Sequence, residues 1–426
     1  MNLINFQSVM LWQMNPRDFF GVLFFIVVLA ITLIALTLSG KIFSEHKKVK
    51  IALKNGIELE VSPGSSLLET LSEQGIFLPT TCGGEGICTL CRCHVISGGG
   101  TVQQAETEGL TSDELKENWR LACQVKVRKD MIIQLPDGMQ GIKKWDAEVV
   151  SNRFVAPFIA EIILKLPQDE FIEFQSGSYL RVEIPQISID FRSDISIPQH
   201  FLPDWDRFGM RNLKVHNAKV QTRTYSFANP PSERNQVIFN VRISPPPIDP
   251  KTGKFRNLPP GIGSSYLFSR KAGDRISIMG PYGDFYLTNS LREMVFIGGG
   301  AGMAPLRSHL LHLFQTEKTI RKVSFWYGAR TERDLFYMDE FQQIATDFPN
   351  FSLEIALSEV PKETKSLFHK GLIHELVLEK YLKSHPNPRS IEFYICGPQL
   401  MTAAVYKMLE ELGVSHEMIA SDSFGG

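Results

Sequence analysis

The sequence predicts a multidomain chain: an N-terminal transmembrane helix, an α+β module, an antiparallel β-barrel and an α/β doubly wound fold, in that order. Three observations predict it. Residues 19–40, FFGVLFFIVVLAITLIALTLSG, run for 22 positions without a charge. Five of the six cysteines fall between Cys82 and Cys123. After them, a region of short β-patterned runs gives way to a last third in which apolar runs alternate with helical patterns.

Length and composition set the frame. A chain of 426 residues is too long for one core and suggests about three domains. Hydrophobic residues make up 43% and charged residues 21%, as in folded domains. A net charge of -1 leaves no basic stripe for a phosphate backbone, which excludes nucleic acid as a partner. The crowded cysteines do not suit a disulfide scaffold and point to metal binding in a reducing compartment.

As a helix, residues 19–40 extend about 33 Å, enough for a hydrocarbon core of about 30 Å. The run is longer than the apolar stretch of a signal peptide. Arg17 is offset by Asp18, whereas Lys41, Lys47, Lys48 and Lys50 follow the span, so the positive-inside rule puts the rest of the chain in the cytoplasm. Residues 1–45 are therefore expected to be a membrane anchor.

Residues 46–140 form the small module. VKIALKNGIELEV alternates around Asn55-Gly56, a hairpin signal, and Ser66 with Glu69 has capping-box spacing ahead of a short helix that Gly75 ends. Residues 141–288 form the barrel, with strands in AEVVSNRFVAPFIAEIILKL, SYLRVEI, TRTYSFAN, QVIFNVRI and DRISIMG. Long loops are expected at 185–220 and around PPPIDP at 245–250. Residues 289–426 alternate strand and helix from MVFIGGG to IEFYICG and a last helix near 400–412, the pattern of a doubly wound parallel sheet.

Cys82, Cys88, Cys91 and Cys123 stand in the pattern C-x5-C-x2-C-x31-C. Three thiolates on one tight loop and a fourth from elsewhere suit a two-iron cluster, since thiolate is a soft ligand. Gly83, Gly84 and Gly86 let the loop bring amide N–H groups towards sulfur. A four-cysteine zinc site is the alternative, but zinc ribbons pair two C-x2-C knuckles and here one arm is a single cysteine. Cys93 is expected to be a packed, non-ligating thiol. The region resembles plant-type [2Fe–2S] ferredoxins, which implies a β-grasp fold, although the first gap is one residue longer than their usual C-x4-C-x2-C.

Downstream, Arg223-Thr224-Tyr225-Ser226 matches the RxYS pattern of ferredoxin–NADP reductase-like flavoproteins. On a strand Arg223 and Tyr225 share one face, which lets a guanidinium grip a pyrophosphate while a phenol packs along a flavin. The resemblance implies FAD, with Ser226 near flavin N5 and Ser264 of GIGSSYL at the same pyrophosphate. VFIGGGAGMAP joins a strand to a helix through Gly298, Gly299, Gly300 and Gly302, exposing amides to an anionic ligand, and its GxGxxP form resembles the nicotinamide-binding turn of these reductases. In YICGP the resemblance puts Cys396 beside the nicotinamide, next to Gly397 and Pro398, and makes Phe424 an aromatic cover for the flavin. Cys396, Ser226 and Phe424 are thus the expected catalytic residues. Arg330 and Arg333 would suit the 2′-phosphate of NADPH, but the whole-chain resemblance favours NADH.

Taken together, anchor, ferredoxin-like module, flavin barrel and nicotinamide fold resemble the F subunits of the Na⁺-translocating NADH:quinone oxidoreductases. That resemblance implies a bacterial inner-membrane enzyme. NADH delivers two electrons as a hydride and the cluster carries one, so FAD stands between them. Partner membrane subunits and, indirectly, quinone follow. Two rivals share parts of this pattern: a membrane-tethered reductase component of an oxygenase, and a non-enzymatic iron–sulfur redox sensor.

Overall fold

The structure is a computed structural model that describes residues 20–21, 23–32, 48–54, 56–80, 82, 84–136, 142–359 and 368–422. Residues 20–21 and 23–32 are helical and carry exposed Phe20, Phe24, Phe25 and Ile31. Among the described residues no helix is long and apolar enough to cross a membrane. Much of the apolar run at 19–40, and Phe424, lie outside the described residues. The rest divides into two compact units, residues 1–70 with 92–135, and residues 71–91 with 136–426.

The first unit is built on a five-stranded mixed sheet. Strands β1 (Val49–Leu53) and β2 (Glu58–Val61) form the expected hairpin, with Val49 opposite Val61, and β3 (Arg92–Ser97), β4 (Trp119–Leu121) and β5 (Met131–Gln134) complete the order β2-β1-β5-β3-β4. The pair β1 and β5 runs parallel, which a helix-bearing crossover allows. That helix, Leu67–Glu73, opens with the capping box read from the sequence: Ser66 N–H donates to Glu69 Oε2 at 3.1 Å, and Glu69 N–H donates to Ser66 Oγ at 3.2 Å. Fully buried Glu106 takes two bonds from Arg120, at 2.8 and 2.7 Å, and one from Leu121 N–H. The same guanidinium donates to the carbonyls of Gly99, Gly100 and Thr101, closing the loop over the sheet.

In the second unit, β6 (Lys143–Ala156), β7 (Ile159–Lys165), β8 (Tyr179–Ile184), β11 (Gln221–Ser226), β12 (Gln236–Arg242) and β13 (Arg275–Tyr282) pair antiparallel in the order β11-β8-β13-β6-β7-β12. No ladder closes β11 on β12 among the described residues; the two ends meet through side chains, with the Tyr225 and Phe239 rings 5.6 Å apart. The core holds Val149, Ile162, Leu164, Leu180, Val182, Phe239 and Ile278. The segment 185–220, expected as a loop, instead folds into a two-stranded ribbon of β9 (Ile187–Asp190) and β10 (Lys214–Asn217) with short helices between them. The reason is Trp205 and Phe191, both fully buried: the indole N–H donates to the Pro157 carbonyl at 2.7 Å, and burying two aromatics outweighs ordering the turn.

The last third is a six-stranded sheet, all parallel, of β14 (Met294–Gly298), β15 (Val323–Ala329), β16 (Phe351–Leu357), β17 (His369–Lys370), β18 (Glu392–Cys396) and β19 (Ile419–Asp422), in the order β17-β16-β15-β14-β18-β19. The strand order reverses between β14 and β18, which puts the topological switch point between Gly298 and Cys396. The antiparallel and the parallel sheet are joined by buried polar contacts. Arg307 donates to the Ala228 carbonyl at 2.7 Å and pairs with Glu340. Asn240 Nδ2 donates to Tyr337 Oη at 2.7 Å, and Tyr337 in turn donates to the buried Glu161 carboxylate.

Candidate redox site

Strand β11 carries the RTYS motif to the sheet edge. Arg223 is exposed, and its guanidinium donates only to Thr222 O and Gln221 Oε1, with no carboxylate partner among the described residues. Burial pushes the Tyr225 phenol up, opposed by Arg223, so it stays protonated. Gly263, at the start of the helix Ile262–Phe268, brings the two flavin motifs together: a Cβ there would lie 2.6 Å from Tyr225 Oη and 2.8 Å from Arg223 Cγ. Ser264 is in the same turn, but its hydroxyl is committed, donating to the Gly261 carbonyl and accepting from Ser244 N–H, both at 3.1 Å. What remains to that turn is backbone N–H. A guanidinium without a counter-charge, a half-buried phenol and a helix start at one edge fit a flavin with its pyrophosphate.

Ser226 points the other way. Its hydroxyl donates to Asp422 Oδ2 at 3.0 Å, and Asp422 lies opposite Cys396 in the β18–β19 register. One seryl hydroxyl, one carboxyl and one thiol from three strands thus come together beside the point where the strand order reverses. Burial raises the Asp422 carboxyl, with Asp284 adding and the Ser226 hydroxyl opposing. Burial, and then Asp422, keep the Cys396 thiol well above its usual value. The thiol is therefore neutral, a packing and polarisable contact rather than a nucleophile.

The glycine turn divides into two roles. Gly298, Gly299, Gly302 and Gly397 are packing glycines: a Cβ at Gly302 would come within 2.3 Å of the Cys396 carbonyl, and one at Gly299 within 2.1 Å of the Gly328 carbonyl. Gly300 is different. Its φ of +59° disfavours any side chain, and it opens into a cavity of about 660 Å³ together with Pro398, Gly328, Arg330, Gly371 and His374. That cavity follows the carboxyl ends of β14 to β17, the expected place for a dinucleotide.

Two basic residues separate clearly here. Arg333 is taken up by Asp204, at 2.8 Å, and by the His200 carbonyl, so it does not face the cavity. Arg330 does, with only a loose 3.8 Å pairing to Asp334. Beside it strand β12 contributes Arg242, a residue the motifs do not flag. Burial, and then the Arg330 charge, lower its pKa, with Asp334 opposing. Asp422 is equally silent in the sequence, since nothing in SDSFGG distinguishes it until Ser226 is seen across from it.

The cysteine loop belongs to the second unit and Cys123 to the first. Gly84 and Gly86 have φ of +100° and +84°, the freedom expected of them; Gly83 is outside the described residues. Thr80 Oγ1 stands 3.8 Å from Cys82 Sγ and 3.9 Å from Cys88 Sγ. Burial opposes ionisation of Cys82, but the N–H and thiol of Cys88, the N–H of Gly84 and the Thr80 hydroxyl outweigh it and bring the thiol down to about 6. On Cys123, Gln124 Nε2 donates to Sγ at 3.4 Å. Cys93 is fully buried on β3, with its thiol pushed up by burial to about 12. Among the described residues no three His, Cys, Asp or Glu side chains are gathered closely enough to hold a metal ion, so what fits iron here is the chemistry of the thiols and their donors, not a formed cage.

The family described as 2Fe-2S iron-sulfur cluster binding domain matches residues 51–128, and that described as oxidoreductase NAD-binding domain matches residues 296–407. The fold is similar to the Amycolatopsis cytochrome P450 reductase GcoB, at 24% identity and a TM-score of 0.59 over 88% of this chain and 98% of that one. A ferredoxin reductase in carbazole 1,9a-dioxygenase is also similar, at 24% identity and a TM-score of 0.55 over 89% and 99%. In sequence the chain is 43% identical to the F subunit of the Na(+)-translocating NADH-quinone reductase of Klebsiella pneumoniae, over 94% of its length and 98% of the relative's. The F subunit of the Neisseria gonorrhoeae reductase is 42% identical over 95% and 98%. The chain belongs to the family of the F subunits of the Na(+)-translocating NADH-quinone reductases.

Proposed function

We propose that this chain is the electron-input component of a Na⁺-translocating NADH–quinone reductase, oxidising NADH with FAD and passing electrons singly through a [2Fe–2S] cluster to partner subunits and finally to quinone. The observation that carries it is the convergence of Ser226, Asp422 and Cys396 at the switch point of a nucleotide fold, in a chain that also bears the cysteine loop. Bound FAD would supply the change from two-electron hydride transfer to single electrons, and a two-iron cluster held by the cysteines would carry those singly.

Each residue's part follows from its contacts. Arg223 offers its guanidinium to the FAD pyrophosphate, and Tyr225 a neutral ring to its flavin. Ser226 sets its hydroxyl oxygen at the flavin, oriented by donating its proton to Asp422, whose carboxyl burial shifts upward. Gly300, Pro398 and the cavity beyond them orient NADH, with Arg242 and Arg330 on its phosphates and Cys396 under the nicotinamide. Cys82, Cys88, Cys91 and Cys123 hold the cluster, with the Thr80 hydroxyl and loop amides directed at sulfur. Phe424 covers the flavin. Residues 19–40 anchor the chain in the bacterial inner membrane beside the other subunits, with the domains after it in the cytoplasm. The match to 98% of the Klebsiella relative's length favours this reading over an oxygenase reductase.

An ultraviolet–visible spectrum of the purified full chain, with iron, sulfide and flavin analysis, tests it. The expected result is about one FAD with two iron and two sulfide per chain, and flavin bleaching by NADH. Colourless protein after anaerobic reconstitution would overturn it.

A further inference from the structure

Arg181 is out of place on its strand. In β8, Leu180, Val182 and Ile184 face the barrel core, and the alternate positions face outward. An arginine on that outer face should be solvated, yet Arg181 is only 7% exposed. What covers it is the stem of the cysteine loop. Arg181 Nη1 donates to the Leu78 carbonyl at 3.2 Å and Nη2 donates to Thr222 Oγ1 at 2.6 Å. The Tyr282 phenol stands alongside, its pKa raised by burial with the Arg181 charge opposing. The buried Nε of Arg181 has no acceptor, and no carboxylate pairs with the guanidinium among the described residues.

The two acceptors matter because of what adjoins them. Leu78 is two residues before Thr80, whose hydroxyl stands by two loop sulfurs, and four before Cys82. Thr222 is the neighbour of Arg223 in the flavin motif. A single guanidinium therefore spans the stem of one redox motif and the strand of the other. Packing holds the stem as well, with Leu78 1% exposed and Phe77 against Met279 and Tyr282, but its polar ties to the strands are few. Tyr282 Oη reaches the Phe77 carbonyl at 3.4 Å, and beside it a cavity of about 710 Å³ opens between Pro79, Leu90, Tyr179 and Tyr282. Burying a guanidinium without a counter-charge is costly, and packing alone does not require it at this position.

We infer that Arg181 is a positioning residue for electron exit: it ties the stem of the cysteine loop to strand β11, fixing the separation between the flavin and the cluster, and its uncompensated charge favours the reduced cluster. The inference rests on the proposed function. The step it serves makes and breaks no bond: the flavin loses one electron and one iron of the cluster gains it. Tunnelling falls steeply with separation, so a loosened stem slows this step without touching the hydride transfer. A cation in a medium of low dielectric also stabilises added negative charge nearby.

The test uses the full chain with its cofactors and two variants, Arg181→Gln and Arg181→Lys. After mixing with NADH, flavin bleaching in Arg181→Gln is expected to stay within about twofold of the parent, while the cluster's paramagnetic signal appears at least about tenfold more slowly. Its midpoint potential moves in the negative direction, and the amides of residues 78–80 lose protection in hydrogen exchange. Arg181→Lys keeps the charge and is expected to restore the potential but not the rate, because ammonium cannot reach both acceptors. Thr222→Val, which removes one acceptor, should slow cluster reduction in the same direction by a smaller factor, and it decides the matter if Arg181→Gln does not fold. Unchanged cluster reduction and potential in these variants, or an equal loss of flavin bleaching, would overturn the inference. A parent protein whose flavin NADH does not bleach would instead overturn the proposed function.

Discussion

The Ser226 hydroxyl and the Asp422 carboxyl group meet at 3.0 Å across 196 residues of sequence. This contact ties the flavin strand of the barrel to the last strand of the nucleotide sheet, next to Cys396. It assigns a purpose to a carboxyl that burial would otherwise make expensive.

Ser226→Ala should therefore slow flavin reduction by NADH, by on the order of a hundredfold, the loss expected when a positioned polar group at a reaction centre is removed. NADH affinity should hardly change, because Ser226 does not line the cavity beside Gly300. Single-turnover stopped-flow separates the two, and an effect confined to KM would reject the assignment.

Asp422 also predicts a pH dependence of stability. Its folded pKa is raised, so between the ordinary aspartate range and that raised value the native chain holds a proton that the unfolded chain has released. Stability must fall as pH rises through this window. Asp422→Asn should abolish that decline and be the more stable protein above it, which thermal unfolding at a series of pH values will show.

Arg242→Gln should raise KM for NADH about tenfold with little change in kcat, the loss expected of one charge-assisted bond to phosphate of about 1.5 kcal/mol or more. Arg333→Gln, whose partner is Asp204, should leave KM unchanged. Steady-state kinetics with ferricyanide checks both; equal effects would mean that the phosphates lie elsewhere.

Cys88→Ala should remove the cluster's paramagnetic signal and leave flavin reduction by NADH intact. Cys93→Ala, at a fully buried position on β3, should keep the signal and cost some thermal stability. Loss of the signal in both would make Cys93 a ligand.

Glu106→Ala should destabilise the first unit by about 3–5 kcal/mol, since it strands the buried Arg120 guanidinium. Calorimetry should show the first unit melting earlier than the flavin-bearing one. A single unshifted transition would contradict that.

Several features are legible in the sequence because they are local. The Ser66–Glu69 capping box, the β1–β2 hairpin, the RTYS strand and the alternation leading to a parallel sheet all depend on neighbours a few residues apart, and each stands where its pattern puts it. The segment 185–220 reads as a loop because its strands are four residues each and its order comes from Trp205, anchored on a distant carbonyl. Ser264 reads as a ligand hydroxyl, whereas Gly261 and Ser244 occupy it. Arg242 carries no signal, because an arginine ending a strand looks like any exposed charge until Arg330 is seen in the same cavity.

By itself the sequence determined the order of the modules and the chemistry each can support, because thiol spacing, glycine turns and hydrophobic period are properties of short stretches of chain. Only the tertiary structure decided which groups face one another: Asp422 with Ser226, Arg242 with Arg330, Arg181 with the stem of the cysteine loop. Burial and charge pairing depend on what the rest of the chain brings alongside, and no local pattern encodes that.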